Sequence, residues 1–229
     1  MLLLLFGREE AIVQIYRQQR NYENLNRRIF DGVGEYGFPE IKPASFDVDN
    51  WISFNYARTC EEPEEHGVHF FVDDYQFLRL WTNPDTYLPM LSRFQAICTP
   101  DFSTYTDFPR AVQIYNHYRK HWLGAYWQEH GIRVIPTISW SDESSFDWCF
   151  DGEPVGSMVA ISSVGTQGSR TATRLFEAGY REMLQRLAPT AIVLYGSIPR
   201  CCEAESGMII SVRAFQDKWR VDIEQEDVL

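Results

Sequence analysis

Short apolar runs and amphipathic stretches alternate along the chain between residues 68 and 197. "VHFFV" (68–72), "FQAICTPDF" (94–102), "IRVIPTISW" (132–140), "SMVAISSV" (157–164) and "AIVLYGS" (191–197) predict strands. Between them lie segments with helical period. Over 107–130, Ala111, Tyr115, Tyr118, Trp122 and Tyr126 recur at steps of three and four, which predicts one buried face. Thr106 or Asp107 suits the cap of this helix, Pro109 its first turn, and Gly131 its end. A second helix is expected over 169–187, with Leu175, Gly179, Met183 and Leu187 on one stripe and Pro189 past its end. "YQFLRLW" and "PDTYLPMLSRF" predict short helices broken at Pro84 and Pro89, and "WISFNYA" (51–57) alternates as a half-buried strand does. Before these, 8–29 reads as a polar helix and 32–43 as a loop rich in glycine and proline.

The runs near 134, 158 and 191 are apolar almost throughout. Such strands are covered on both faces, as in a parallel sheet flanked by helices. The expected fold is therefore α/β with a mostly parallel sheet. An incomplete or irregular barrel is preferred over an open doubly wound sheet, because polar residues end so many of the strands. One domain is expected over 1–229. Residues 1–50 form a helix and loop extension, 51–200 the α/β core and 201–229 a C-terminal β hairpin turning at Gln216 and Asp217.

Composition narrows the function classes. With 229 residues, 45% of them hydrophobic and 15% aromatic, the chain can bury a large core. A formal charge of −11 disfavours direct nucleic-acid binding without a local basic patch. Arg17, Arg20, Arg27 and Arg28 are too dispersed for one and read as a solvated face. Five cysteines lack CxxC spacing, which fits a reduced, cytoplasmic setting, and Cys98 reads as a core residue. "MLLLLF" is too short for a signal peptide, and no run reaches the roughly 20 apolar residues of a membrane span.

Spread over the core are Pro100 and Asp101, Pro136 and Trp140, the Phe150-Asp151-Gly152 turn, Gly165, Gly179, and Tyr195-Gly196. By these landmarks the chain, over about residues 68–200, resembles the domain-of-unknown-function family 4417, met in bacteria, phages and mobile elements. The resemblance implies an α/β fold and a phage or mobile-element source. It supplies no catalytic residue, and the cofactor stays unknown.

Candidate chemistry gathers at the strand ends. "VGTQGSRT" (164–171) is a loop with two glycines running into a helix, where free N–H groups and the helix dipole favour an anion. Gly165 and Gly168 would admit close approach, and Ser169, Arg170 and Thr171 add donors and charge; the neighbouring "YGSIPR" adds Gly196 and Ser197. The loop is neither a Walker A motif nor GxGxxG, and a plain turn capped by Ser169 is the alternative. Asp73 and Asp74, Asp101, and Asp142 with Glu143 each follow a strand. Asp74 and Asp101 are the preferred catalytic pair, for acid–base work or Mg²⁺ binding, with Trp140 and Tyr195 as walls or core. His117 and His121 have the spacing of a metal pair, but the glutamate of HExxH is missing and Arg119 and Lys120 intervene. They read as a solvated flank, and no metal is expected.

Two function classes remain. One is an enzyme or binding protein for a small anionic ligand, a nucleotide or sugar phosphate, with hydrolytic or metal-assisted chemistry. The other is an interaction protein whose acidic surface binds or inhibits a basic host protein. The first requires a pocket joining the loop to the carboxylates, and the second an exposed acidic or aromatic patch.

Overall fold

The computed structural model describes residues 23–214. After a short antiparallel ribbon, β1 (Gly32–Val33) with β2 (Phe38–Pro39), seven strands follow: β3 (Asn50–Ser53), β4 (His66–His69), β5 (Ala96–Cys98), β6 (Val134–Ile135), β7 (Met158–Ser162), β8 (Ala191–Tyr195) and β9 (Ile209–Val212). They form two parallel sheets, β3-β4-β5-β6 and β7-β8-β9, each in chain order. A parallel bridge between Thr137 and Ala160 joins them. Among the described residues no hydrogen-bonded pair links β3 to β9, so the strand series is an irregular, unclosed one.

The break between the sheets has a chemical cause. The expected strand over 132–140 shortens to Val134–Ile135 because Pro136 has no N–H to continue the ladder. The backbone there changes partner: Pro136 O accepts from Ala160 N–H at 2.8 Å, and Ile138 N–H donates to Ala160 O at 2.8 Å. Thr137 remains tied to the end of β5, its N–H donating to Thr99 Oγ1 at 2.8 Å and its hydroxyl to Thr99 O at 2.6 Å.

Helices cover the sheets: α1 (Phe54–Ala57), α2 (Leu78–Thr82), α3 (Pro84–Leu91), α4 (Arg110–Glu129) and α5 (Arg170–Leu187). Successive side chains of β7 and β8 take opposite sides, as pleating requires. Val159, Ile161, Ile192 and Leu194 pack with Phe176, Tyr180, Met183 and Leu187 of α5, while Met158, Ala160, Val193 and Tyr195 belong to the larger core with Trp122, Trp127 and Phe70. Burial on both sides explains the apolar runs that announced these strands.

Several local expectations are corrected. "WISFNYA" turns helical after Ser53, because Phe54 and Ala57, three apart, are both buried while Asn55 and Tyr56 face solvent. Helix α4 begins two or three residues later than expected, with Pro109 as its N-cap and no side-chain cap; Thr106 and Asp107 stand outside it. Its buried surface is broader than the aromatic stripe: Ala111 and Tyr115 are exposed, whereas Gln113, Asn116, His117, Lys120 and His121 are buried. Pro89 sits inside α3 without ending it. β9, expected as half of a terminal hairpin, is instead the parallel edge partner of β8; the hairpin's turn and second strand lie outside the described residues. So do Leu2–Phe6 and most of the helix expected over 8–29, of which the described end forms turns.

Candidate functional site

The C-terminal ends of β4, β5, β6 and β7 open onto one cleft of about 730 Å³. It is lined by residues 72–75, 101, 103–106, 138–141, 162 and 164–166, with Ala172, Leu175 and Phe176 of α5 on the far side. Asp74, Asp101 and Gly165, picked out from strand ends in the sequence, therefore share one cavity. Asp74 is oriented by Ser103, whose hydroxyl donates to its carboxylate at 2.7 Å and whose N–H donates at 3.1 Å. Asp101 is half-buried, and loss of hydration raises its carboxyl to about 7, against the pull of Lys120 and with the aid of the Asp74 charge. Two carboxyl groups in one cleft thus differ in environment, one held by donors and one inclined to keep its proton near neutral pH.

Aromatic side chains frame the opening. Tyr75 and Tyr105 are 76% and 62% exposed at the rim. Trp140 forms part of the wall, its indole N–H donating to Leu175 O at 3.2 Å. Between them the lining is rich in hydroxyls, including Ser103, Thr104, Ser139 and Thr166. Asp73, Asp74 and Asp101 are the charged side chains there; no Lys, Arg or His is among the described lining residues.

The rest of the anion loop is placed differently. Ser169 caps α5, its hydroxyl accepting from Ala172 N–H at 3.1 Å. Gly168, Arg170 and Thr171 are exposed and stand outside the cleft lining, whereas Gly165 and Thr166 are in it. Gly165 takes a φ of +78°, a conformation that favours glycine. Gly196 spends its N–H on Val212 O at 2.9 Å, and Ser197 O accepts the Ser163 hydroxyl at 2.6 Å, so both belong to internal hydrogen bonding. Tyr195 lines an adjacent cavity of about 650 Å³, beside β3 and β9, with His69.

The largest correction concerns α4. His117 and His121 are 1% and 0% exposed rather than on a solvated flank, because β2 and the 148–153 segment cover that side of the helix. Lys120, also buried, donates to Glu153 Oε1 at 2.7 Å and to Thr137 O at 2.8 Å. His121 Nε2 lies 3.0 Å from the same carboxylate oxygen. Burial beside Lys120 and His121 holds His117 well below the usual histidine range, so its imidazole is neutral. Despite its burial, Glu153 is held below its ordinary range by the Lys120 and His121 charges and hydrogen bonds. Cys98, as expected, is a core thiol pushed up by burial.

The family model of a domain of unknown function, DUF4417, matches residues 30–216. The chain belongs to this family. DUF4417 here spans the ribbon, both sheets and every residue of the cleft. The chain is 38% identical over 205 residues to "Gene 1 protein" of Mycobacterium phage L5, covering 88% of each chain. It is 37% identical over 209 residues to "Gene 1 protein" of Mycobacterium phage D29, covering 90% of this chain and 77% of the relative. These relatives are phage proteins, in keeping with the source that the resemblance implied. No solved structure matches the chain. Among the described residues no helix is long and apolar enough to cross a membrane.

Proposed function

We propose that this DUF4417 protein is a small-molecule enzyme whose ligand occupies the cleft at the strand C-termini. The single observation that carries the reading is that Asp74, Asp101 and Gly165, from three separate strand-to-helix loops, line one cavity. In this reading Asp101, whose carboxyl burial raises to about 7, is poised to give up its proton when a cation enters the cleft. Asp74, pinned by Ser103, supplies the fixed negative charge.

The expected ligand is a nucleotide or sugar phosphate. Its ring would lie against Trp140 and the rim tyrosines, and its hydroxyls would meet the serine and threonine lining. The phosphate presents a constraint, because the charged lining is acidic. A divalent cation held by Asp74 and Asp101 resolves it, offsetting both carboxylates and polarising the phosphoryl group for hydrolysis. At the rim, the first turn of α5 and Arg170 would add donors for the anion.

The test is a calorimetric screen of nucleotides and sugar phosphates with and without Mg²⁺ or Mn²⁺. Binding that needs the cation and falls at least tenfold in Asp101→Asn supports the reading. Absence of binding to the wild type at millimolar concentration sinks it. A second reading, an interaction protein, has its own support: the exposed Tyr75 and Tyr105 on a chain of charge −11 form an acidic, aromatic face suited to a basic protein. Pull-down with a basic partner that Tyr75→Ser with Tyr105→Ser abolishes, in a protein that binds no small ligand, would favour it.

A further inference from the structure

The buried cluster on α4 lies apart from the cleft lining and offers more than a salt bridge. Ligand atoms of His117, His121 and Glu153 all lie within 4.8 Å of one another. We propose that these three residues hold a divalent transition-metal ion, with zinc the best match to two imidazoles and one carboxylate.

The hydrogen bonds of the two rings fix which nitrogens face inward. A backbone carbonyl can only accept, so His121 Nδ1, 2.8 Å from Pro39 O, carries a proton; its Nε2 faces Glu153 Oε1, another acceptor, 3.0 Å away, and gives up a proton when a metal takes that position. His117 Nε2, 3.1 Å from Asp151 O, likewise carries the proton, which leaves the lone pair on Nδ1. Each imidazole is thus oriented through its outer nitrogen by a main-chain oxygen, the support that metal-ligating histidines usually have. His117 Nδ1 and Glu153 Oε2 are buried without a hydrogen-bond partner. Buried orphan atoms are costly unless something completes them, and two such atoms here belong to the same cluster.

Lys120 does not block the site. It holds Glu153 through Oε1 and Thr137 through its carbonyl, so ligation through Oε2 leaves both contacts in place. Its charge opposes a dication, which sets the expected affinity below that of thiolate-rich zinc sites. Tetrahedral zinc with bonds near 2.0–2.1 Å places its ligands about 3.3 Å apart, so the cluster contracts on loading. The ion would tie α4 to β2 and to the 150–153 turn, where a Cβ at Gly152 would stand 2.8 Å from His121 Nδ1. The turn's glycine, at φ +79°, therefore lets the main chain approach the ring closely.

The experiment uses the full chain, stripped with chelator and titrated with Zn²⁺ and Co²⁺ alone. The expected result is one ion per chain, visible cobalt d–d bands, and an X-ray absorption spectrum of the zinc form with two imidazoles. His117→Ala and Glu153→Gln should each weaken binding by about tenfold or more, while His66→Ala, on a different element, leaves it unchanged. Should either variant fail to fold, the wild-type spectra decide alone. No stoichiometric binding by the wild type, or a bound ion whose spectrum shows no imidazole, overturns the proposal.

Discussion

Trp140 lies against the bare backbone of Gly179: a Cβ added to that glycine would overlap the pyrrole edge of the indole. The helix α5 comes close enough to the cleft wall only because this position has no side chain. Gly179→Ala should raise intrinsic helix propensity by up to about 1 kcal/mol, yet the overlap must displace either the indole or the helix. We expect a net destabilisation of roughly 1–3 kcal/mol in urea unfolding, with a change in tryptophan fluorescence. Equal or higher stability with unchanged fluorescence would show that the contact is looser than the geometry indicates.

Asp101 gives the stability a pH dependence with a definite sign. Its folded-state affinity for a proton is raised, to about 7, above the unfolded value near 3.8. Its contribution is therefore fully present below about pH 4 and is lost as pH rises through about 7. Asp101→Asn should remove that loss, so the variant gains on the wild type between pH 5 and 8, by on the order of 1–3 kcal/mol. Denaturant titrations at several pH values check it. Parallel curves for the two proteins would mean that Asp101 ionises as an ordinary surface carboxylate does.

Asp74 accepts from the Ser103 hydroxyl and N–H, which tie it to the loop after β5. Asp74→Ala is expected to cost about 1–2 kcal/mol and to loosen the 101–106 segment, seen as faster amide exchange there. A loss below about 0.3 kcal/mol would mark the contact as a weak surface pair.

Lys120→Met leaves Glu153 buried with only His121 beside it. Removing one partner of a buried pair costs about 3–5 kcal/mol, whereas replacing both with apolar groups is often tolerated. Lys120→Met with Glu153→Leu should therefore be more stable than Lys120→Met alone. Thermal unfolding of the two variants decides it. If the double variant is the less stable, the pair contributes through more than charge.

The parts of this fold that could be read in the sequence are those where a periodic pattern meets its environment on both sides. β7, β8 and α5 were expected within a residue or two of where they lie, because Met158–Ser162 and Ala191–Tyr195 are buried front and back and Ser169 caps the helix in the usual manner. β6 was overextended because an apolar run does not show which backbone donors a proline removes. The cleft carboxylates were legible because Asp74 and Asp101 stand where the apolar runs 68–72 and 94–102 give out. The buried face of α4 was not. Gln113, Asn116, His117, Lys120 and His121 are polar; the 103–108 loop covers the first two, and Phe38–Pro39, Thr137 and 148–153 make the others interior. The spacing of His117 and His121 was the one available signal. Glu153, 32 residues further on, is joined to them by tertiary structure alone.

The strands stand in the sheets in the order in which they occur in the chain, and one bridge, Thr137 to Ala160, carries the main-chain pairing from the first four to the last three. Each strand meets its neighbour after a single excursion, the longest running from Cys98 to Val134. The seam also divides the molecule into an N-terminal half with β3 to β6 and a C-terminal half with β7 to β9, each with its own complete ladder. A nick at the exposed 155–156 turn should therefore leave two fragments that recognise each other. Co-expressed as separate chains, they are expected to reassemble into the cleft-bearing whole.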